Sequence, residues 1–226
     1  PGWLYPGYVR QQRFEAAKLN QTPAWDLSFS RATSLAGGAV GGVEAVAQKP
    51  DAGYAISFKQ ALPKGAYVFK ALLQPFKSND ADTPQTLLKV SNGATQAILQ
   101  ADPNAPPLSW QVLASSHLDP QQDWQIVSPQ ALSVRLAGAW VDASAPKNGA
   151  TLDALGLNGA KAETTALWDP ASVAAWLHER QPSVVALMYG TNESLDPQFS
   201  AAKMSVALSG LIHAIRQHSK ADRKST

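Results

Sequence analysis

An apolar run, Ser183-Val184-Val185-Ala186-Leu187, passes without a break into Met188-Tyr189-Gly190-Thr191-Asn192-Glu193-Ser194-Leu195. The run has the length and apolar continuity of a buried strand. A strand that ends abruptly at Gly-Thr-Asn-Glu puts a tight turn and a side-chain amide at the carboxyl edge of a sheet. Open α/β sheets bind their ligands at that edge. An amide held there can donate a hydrogen bond to a developing oxyanion. Gly and Asn are also ordinary turn formers, so these four residues alone leave both readings open.

The surrounding segment, residues 146–226, alternates strand-like and helix-like patterns, as an α/β region does. Ala150–Gly156 reads as a strand. Asp169-Pro170 opens a helix, with Asp169 as N-cap and Pro170 at the first helical position. Val173, Trp176 and Leu177 form its apolar stripe, and Gln181-Pro182 ends it. A second helix is predicted near 198–218, with Phe199, Met204, Leu208, Leu211, Ile212 and Ile215 as its core side. His178, His213 and His218 are predicted to face solvent.

Residues 26–145 read as all-β. Tyr54–Phe58, Ala66–Leu72, Thr86–Val90, Thr95–Leu99, Trp110–Leu113, Trp124–Val127 and Leu132–Leu136 are short strand-like stretches separated by turn residues. Asn92-Gly93 between two of them is the strongest hairpin signal in the chain. About seven such strands suggest a β-sandwich or jelly roll. Trp110, Trp124 and Trp140 are either core residues or platforms for sugar stacking. Residues 1–25, rich in Pro, Gly and aromatics, read as irregular; Trp3, Tyr5 and Tyr8 either stack on a ring ligand or pack on the core.

One βα unit upstream of the Gly-Thr-Asn-Glu turn, Leu152-Asp153-Ala154-Leu155-Gly156-Leu157-Asn158-Gly159-Ala160 is a second apolar run that ends in a glycine turn. The pair resembles blocks II and III of the SGNH (GDSL-type) hydrolase superfamily. With Trp168 between them and Pro1–Tyr8 ahead, their order is similar to that in bacterial peptidoglycan O-acetylesterases. The resemblance touches most of the chain, but only the two turn motifs are specific. It implies a flavodoxin-like three-layer α/β sandwich, incomplete here, with an all-β sandwich inserted between blocks I and II. Residues 1–25 and 146–226 would then belong to the SGNH domain and 26–145 to a carbohydrate-binding-module-like insert.

The same resemblance implies the chemistry. Gly159 and Asn192 would be oxyanion-hole donors, with Asn158, Gly190, Thr191 and Tyr8 near the substrate. Gly159 would allow close backbone approach. Glu193 stands where the family usually has Asp and would brace the loop. The family's Gly-Asp-Ser nucleophile block does not occur in this sequence, and none of the four histidines follows an Asp in an Asp-x-x-His block. The chain is therefore expected to be an internal fragment that lacks the triad. The implied activity is a serine esterase removing O-acetyl groups from a cell-wall carbohydrate, peptidoglycan foremost, in the periplasm or cell envelope. A non-catalytic glycan-binding module and an SGNH O-acetyltransferase are the alternatives.

Composition narrows the rest. With 45% hydrophobic and 16% charged residues, a sizeable core can form. The absence of cysteine excludes disulfides, thiolate metal sites and a cysteine nucleophile. No His/Asp/Glu set has ligand spacing, so neither metal nor cofactor is implied. A net charge of +2 makes no case for nucleic acid. Arg216, Lys220, Arg223 and Lys224 cluster near the end and read as a solvated helix terminus rather than a polyanion contact. No membrane span is legible.

Overall fold

The computed structural model describes residues 3–4, 17–21, 24–29, 38–58, 65–76, 85–92, 95–118, 124–144, 150–155 and 159–219. Two compact units are present, one of Pro1–Ser28 with Glu44–Ala154, the other of Phe29–Val43 with Leu155–Thr226.

Among the described residues the first unit holds ten strands: β1 (Ala17–Gln21), β2 (Trp25–Phe29), β3 (Val43–Ala47), β4 (Ala52–Phe58), β5 (Tyr67–Pro75), β6 (Thr86–Asn92), β7 (Thr95–Gln100), β8 (Gln111–Leu118), β9 (Trp124–Ser128) and β10 (Val134–Ala143). They form two five-stranded sheets, ordered β1-β4-β9-β6-β7 and β2-β3-β10-β5-β8. All seven stretches that alternate in the sequence are strands here. The hairpin read from Asn92-Gly93 is the antiparallel β6–β7 pair, whose register sets Asn92 opposite Thr95.

Alternation turns each strand into a half-buried ribbon. In β9, Trp124, Ile126 and Ser128 face inward; in β7, Ala97 and Leu99 do so while Ile98 faces out. The inner faces of both sheets meet in one core. Phe69 of β5 sets its ring edge-on to Trp124 of β9 at 6.5 Å, and Trp25 of β2 lies 4.6 Å from Tyr54 of β4. Burial raises the Tyr54 phenol far above its ordinary pKa.

Strands β1, β2 and β3 are not evident from sequence alone. β1 carries Lys, Asn and Gln, which have little strand preference of their own, and β3 reads Val-Glu-Ala-Val-Ala, where Glu and Ala dilute the preference of the two valines. Pairing with β4 and β10 decides their conformation. The arm expected to be irregular over 1–25 therefore supplies a strand.

In β10 the register against β5 shifts between Leu136 and Gly138. One extra residue at a bulge reverses which side chains point inward. Val134 and Leu136 enter the core before it, Ala139 and Val141 after it. Trp140 consequently faces the other side, where Trp3 stacks on it at 5.7 Å. The Trp3-Leu4 segment is held by paired backbone bonds, Leu4 N–H to Ala139 O at 2.7 Å and Ala139 N–H to Leu4 O at 3.0 Å. The Trp3 N–H also donates to the Asp153 carboxylate at 3.0 Å.

In the second unit, α1 (Pro170–Arg180) starts as expected: Asp169 caps it by accepting from Ala171 N–H at 2.8 Å, and Pro170 is its first residue. Val173, Trp176 and Leu177 are buried, and Gln181 ends the helix in the left-handed region at φ 40°. α2 (Ala201–His218) lies against α1 and the 3-10 turn Ala162–Leu167. Its predicted core side is only partly covered. Ala207 is its one buried residue, Met204, Leu208, Leu211 and Ile215 are half-buried, and Phe199 and Ile212 are exposed. His178, His213 and His218 face solvent as expected.

The strands expected over 150–156 and 183–189 carry no sheet assignment in the described residues. Exposure nevertheless alternates along 184–189: Val184, Ala186 and Met188 are open while Val185, Leu187 and Tyr189 are half-buried. The period is that of a strand; the ladder is missing because no second strand lies beside it among the described residues.

A Cβ on Gly138 would come within 2.5 Å of the Trp3 ring and 3.0 Å of the Leu4 carbonyl oxygen. Gly138→Ala is expected to displace the Trp3 segment and to cost about 1–3 kcal/mol by overpacking. Denaturant unfolding gives the loss, and a shift in tryptophan emission reports the displaced ring.

Candidate functional site

The two turn motifs come together in the second unit. Three successive residues of one segment each bond to the other. The Ala160 carbonyl accepts from Asn192 Nδ2–H at 2.7 Å. Lys161 Nζ pairs with the Asp196 carboxylate. Ala162 N–H donates to Glu193 Oε1 at 2.5 Å. The segments are more than thirty residues apart in sequence, so the fold alone creates the contact.

Glu193 is the hub. It is 3% exposed, and its second oxygen, Oε2, accepts from Gly190 N–H at 2.9 Å. Burial pushes its carboxyl pKa up. The backbone donors of Ala162, Glu193 itself and Gly190, together with the Lys161 cation, outweigh that effect and hold the pKa below its ordinary 4.5. Asp196, hydrogen-bonded by Lys161 and by Gln198 N–H, is likewise lowered. Burial, and then the charge of Glu193, raise the Tyr189 phenol. The turn is closed internally by Ser194 N–H to Gly190 O at 2.8 Å and Ser194 Oγ–H to Thr191 O at 2.8 Å.

Of the residues singled out in the sequence, Gly190, Thr191 and Asn192 share this turn, and Gly159 precedes the Ala160 carbonyl that Asn192 binds. Asn158 and Tyr8 lie outside the described residues. Gly159 has φ +79° and Gly190 φ +117°, both in the region that favours glycine. Nothing lies within 4 Å of where a Gly159 Cβ would stand. The positive φ is by itself a reason for glycine at this position. No motif in the sequence singles out Lys161 or Asp196, and only the fold pairs them.

Trp110, Trp124 and Trp140 are all buried. Arg135 lies over the Trp110 ring at 5.1 Å and binds Glu44 and Gln74. The core alternative, rather than open stacking platforms, therefore holds for these three. Arg216 is exposed in the last turn of α2, and the other basic residues of that cluster lie outside the described residues. Among the described residues no group of His, Asp and Glu could hold a metal, and no helix is long and apolar enough to cross a membrane.

No protein-family model matches the sequence, and no curated protein matches it. Solved structures do. A peptidoglycan O-acetylesterase superposes with a TM-score of 0.70 at 20% identity, over 96% of this chain and 54% of that one. The chain thus shares the fold of about half of that esterase and spans about half of its length. Two carbohydrate-binding modules align over smaller parts. TmCBM61, in complex with β-1,4-galactotriose, has a TM-score of 0.35 and 15% identity over 58% of this chain and 90% of its own. CsCBM6-3 from Clostridium stercorarium, with cellobiose, has 0.35 and 10% over 64% and 98%.

Two outcomes follow for the site. Because the pKa of Glu193 is lowered on folding, its stabilising contribution is present above pH 4.5 and is lost as pH falls through the folded-state pKa. Acid unfolding of Glu193→Gln is therefore expected to lack that part of the pH dependence, with the stability difference from wild type shrinking below pH 4.5. Gly159→Ala is expected to cost about 1–2 kcal/mol from left-handed strain alone. Gly159→Asn should cost less than Ala, because Asn tolerates that region, and thermal unfolding of the two variants ranks them.

Proposed function

We propose that the protein is a serine esterase that removes O-acetyl groups from a cell-wall carbohydrate, with peptidoglycan as the leading candidate. The observation that carries this reading is the bond from Asn192 Nδ2–H to the Ala160 carbonyl. It fixes a side-chain amide beside the glycine turn at Gly159. The amide nitrogen bears two hydrogens, and one is used by Ala160, so the second is available to an oxyanion. The likeness in fold to half of a peptidoglycan O-acetylesterase supports the same reading.

On this reading residues 146–226, with 1–25, are the portion of an SGNH-type α/β sandwich that holds blocks II and III, and 26–145 are its inserted β-domain. The nucleophilic serine and the Asp-x-x-His pair would come from the part of the fold that these 226 residues do not span. The serine oxygen attacks the acetyl carbonyl as the histidine takes its proton. The carbonyl oxygen becomes the oxyanion, held by Gly159 N–H and Asn192 Nδ2–H. Collapse expels the sugar oxygen, which takes the proton from the histidine to become a hydroxyl, and water then releases acetate from the acyl-serine. Gly190 and Thr191 would border the substrate, with Asn158 and Tyr8 completing the contact. Such chemistry belongs in the periplasm or cell envelope, where the polymer is. Transfer of the acetyl group to another sugar hydroxyl would use the same residues and differs only in the acceptor.

Asn192→Ala, in the protein carrying serine and histidine, is expected to lower kcat at least about 100-fold, the cost of one oxyanion donor, with KM nearly unchanged. Acetate release from O-acetylated peptidoglycan measures it. A loss confined to KM would sink the oxyanion assignment.

A further inference from the structure

The Asn192 amide and the Gly159 N–H lie on two separate segments, so something must fix their separation. Donors in such a site act only when held within about half an ångström of the productive position. We infer that Glu193 is the positioning residue of this site: its carboxylate locks the two segments in register by taking one backbone N–H from each. This inference rests on the esterase reading.

Each carboxylate oxygen has its own donor. Oε1 takes Ala162 N–H at 2.5 Å, three residues beyond Gly159; Oε2 takes Gly190 N–H at 2.9 Å, two residues before Asn192. Asn192 itself is the neighbour of Glu193 in the chain. The carboxylate is buried, so water does not compete for either bond. Charge-assisted bonds of this kind are about twice as strong as neutral ones. The Asn192–Ala160 bond and the half-buried Lys161–Asp196 pair span the same two segments and add two further ties.

The geometry demands an acceptor at both oxygens and the full glutamate reach. A glutamine keeps the reach but offers one acceptor; its amide N–H would face a backbone N–H, donor against donor. An aspartate keeps both acceptors but is one methylene short. Neither touches substrate, so their effect on catalysis must pass through the positions of Asn192 and Gly159.

The first test is amide hydrogen exchange by NMR on this 226-residue chain, wild type against Glu193→Gln and Glu193→Asp. Ala162 and Gly190 amides are expected to exchange about tenfold faster or more in E193Q, and less so in E193D, because a lost bond of this strength is worth about that factor. The Asn192 side-chain amide signals should move in both variants. Exchange at Trp124 and Ile126 in the β-sandwich should stay as in wild type, and E193D alone decides if E193Q does not fold. Unchanged Ala162 and Gly190 exchange with unmoved Asn192 signals would overturn the inference. The second test is hydrolysis of 4-nitrophenyl acetate by the protein carrying serine and histidine. E193Q should lower kcat by about 10- to 100-fold, as a displacement of about an ångström does, while KM stays within about twofold. Wild-type kcat in E193Q, with Asn192→Ala impaired, overturns the positioning role and leaves the esterase reading standing. An inactive wild type sinks the esterase reading and the catalytic part of this inference with it; the exchange measurement then still decides whether Glu193 locks the two segments.

Discussion

A β-ladder needs two strands, and this condition sorts the whole chain. Wherever an alternating segment finds a neighbour, it becomes a strand of one of two sheets. Even β1, whose composition hardly favours extended structure, is drawn in by β4. Residues 184–189 have stronger strand character than β1 and keep the alternation of exposure, yet carry no strand in the described residues. Intrinsic preference is a weak force beside a row of unpaired backbone groups offered by a neighbour.

Within the β-unit a single extra residue has the largest reach. The bulge in β10 lets one strand serve both faces of its sheet: Val134 and Leu136 enter the sandwich before it, and Trp140 turns outward after it. The outward tryptophan is covered by Trp3, which stacks on it, and the Trp3-Leu4 segment is held by the pairing of Leu4 with Ala139. Gly138 is the thin point at which ring and backbone meet. A chain segment 135 residues away in sequence, from Leu4 to Ala139, thus becomes part of the sheet's outer cover.

In the second unit a buried charge does the organising. Carboxylates are rarely buried unless their charge is compensated. Glu193 meets that condition with backbone N–H groups from both motif segments and a nearby lysine, and so remains ionised although buried. An Asp at this position, as in the resembling family, would offer the same two acceptors over a shorter reach.

The strand-length runs, the Asn-Gly hairpin, the Asp169-Pro170 helix start and the two glycine turns were legible in the sequence, because each depends on neighbours within a few residues: side-chain alternation, a capping oxygen, a backbone free to take positive φ. The cover on α2 was not, since an amphipathic stripe states which side wants burial but not what lies against it. Nor were the burial of Trp110, Trp124 and Trp140, the bulge in β10, or the pairing of Lys161 with Asp196. The sequence by itself determined which segments could be strands, helices and turns, and it named Gly159 and Asn192 as the residues to compare. Only the tertiary structure decided that Ala160, Lys161 and Ala162 meet Asn192, Asp196 and Glu193. Hydrogen bonds between segments thirty residues apart follow from where packing sets each backbone, and no local preference encodes that distance.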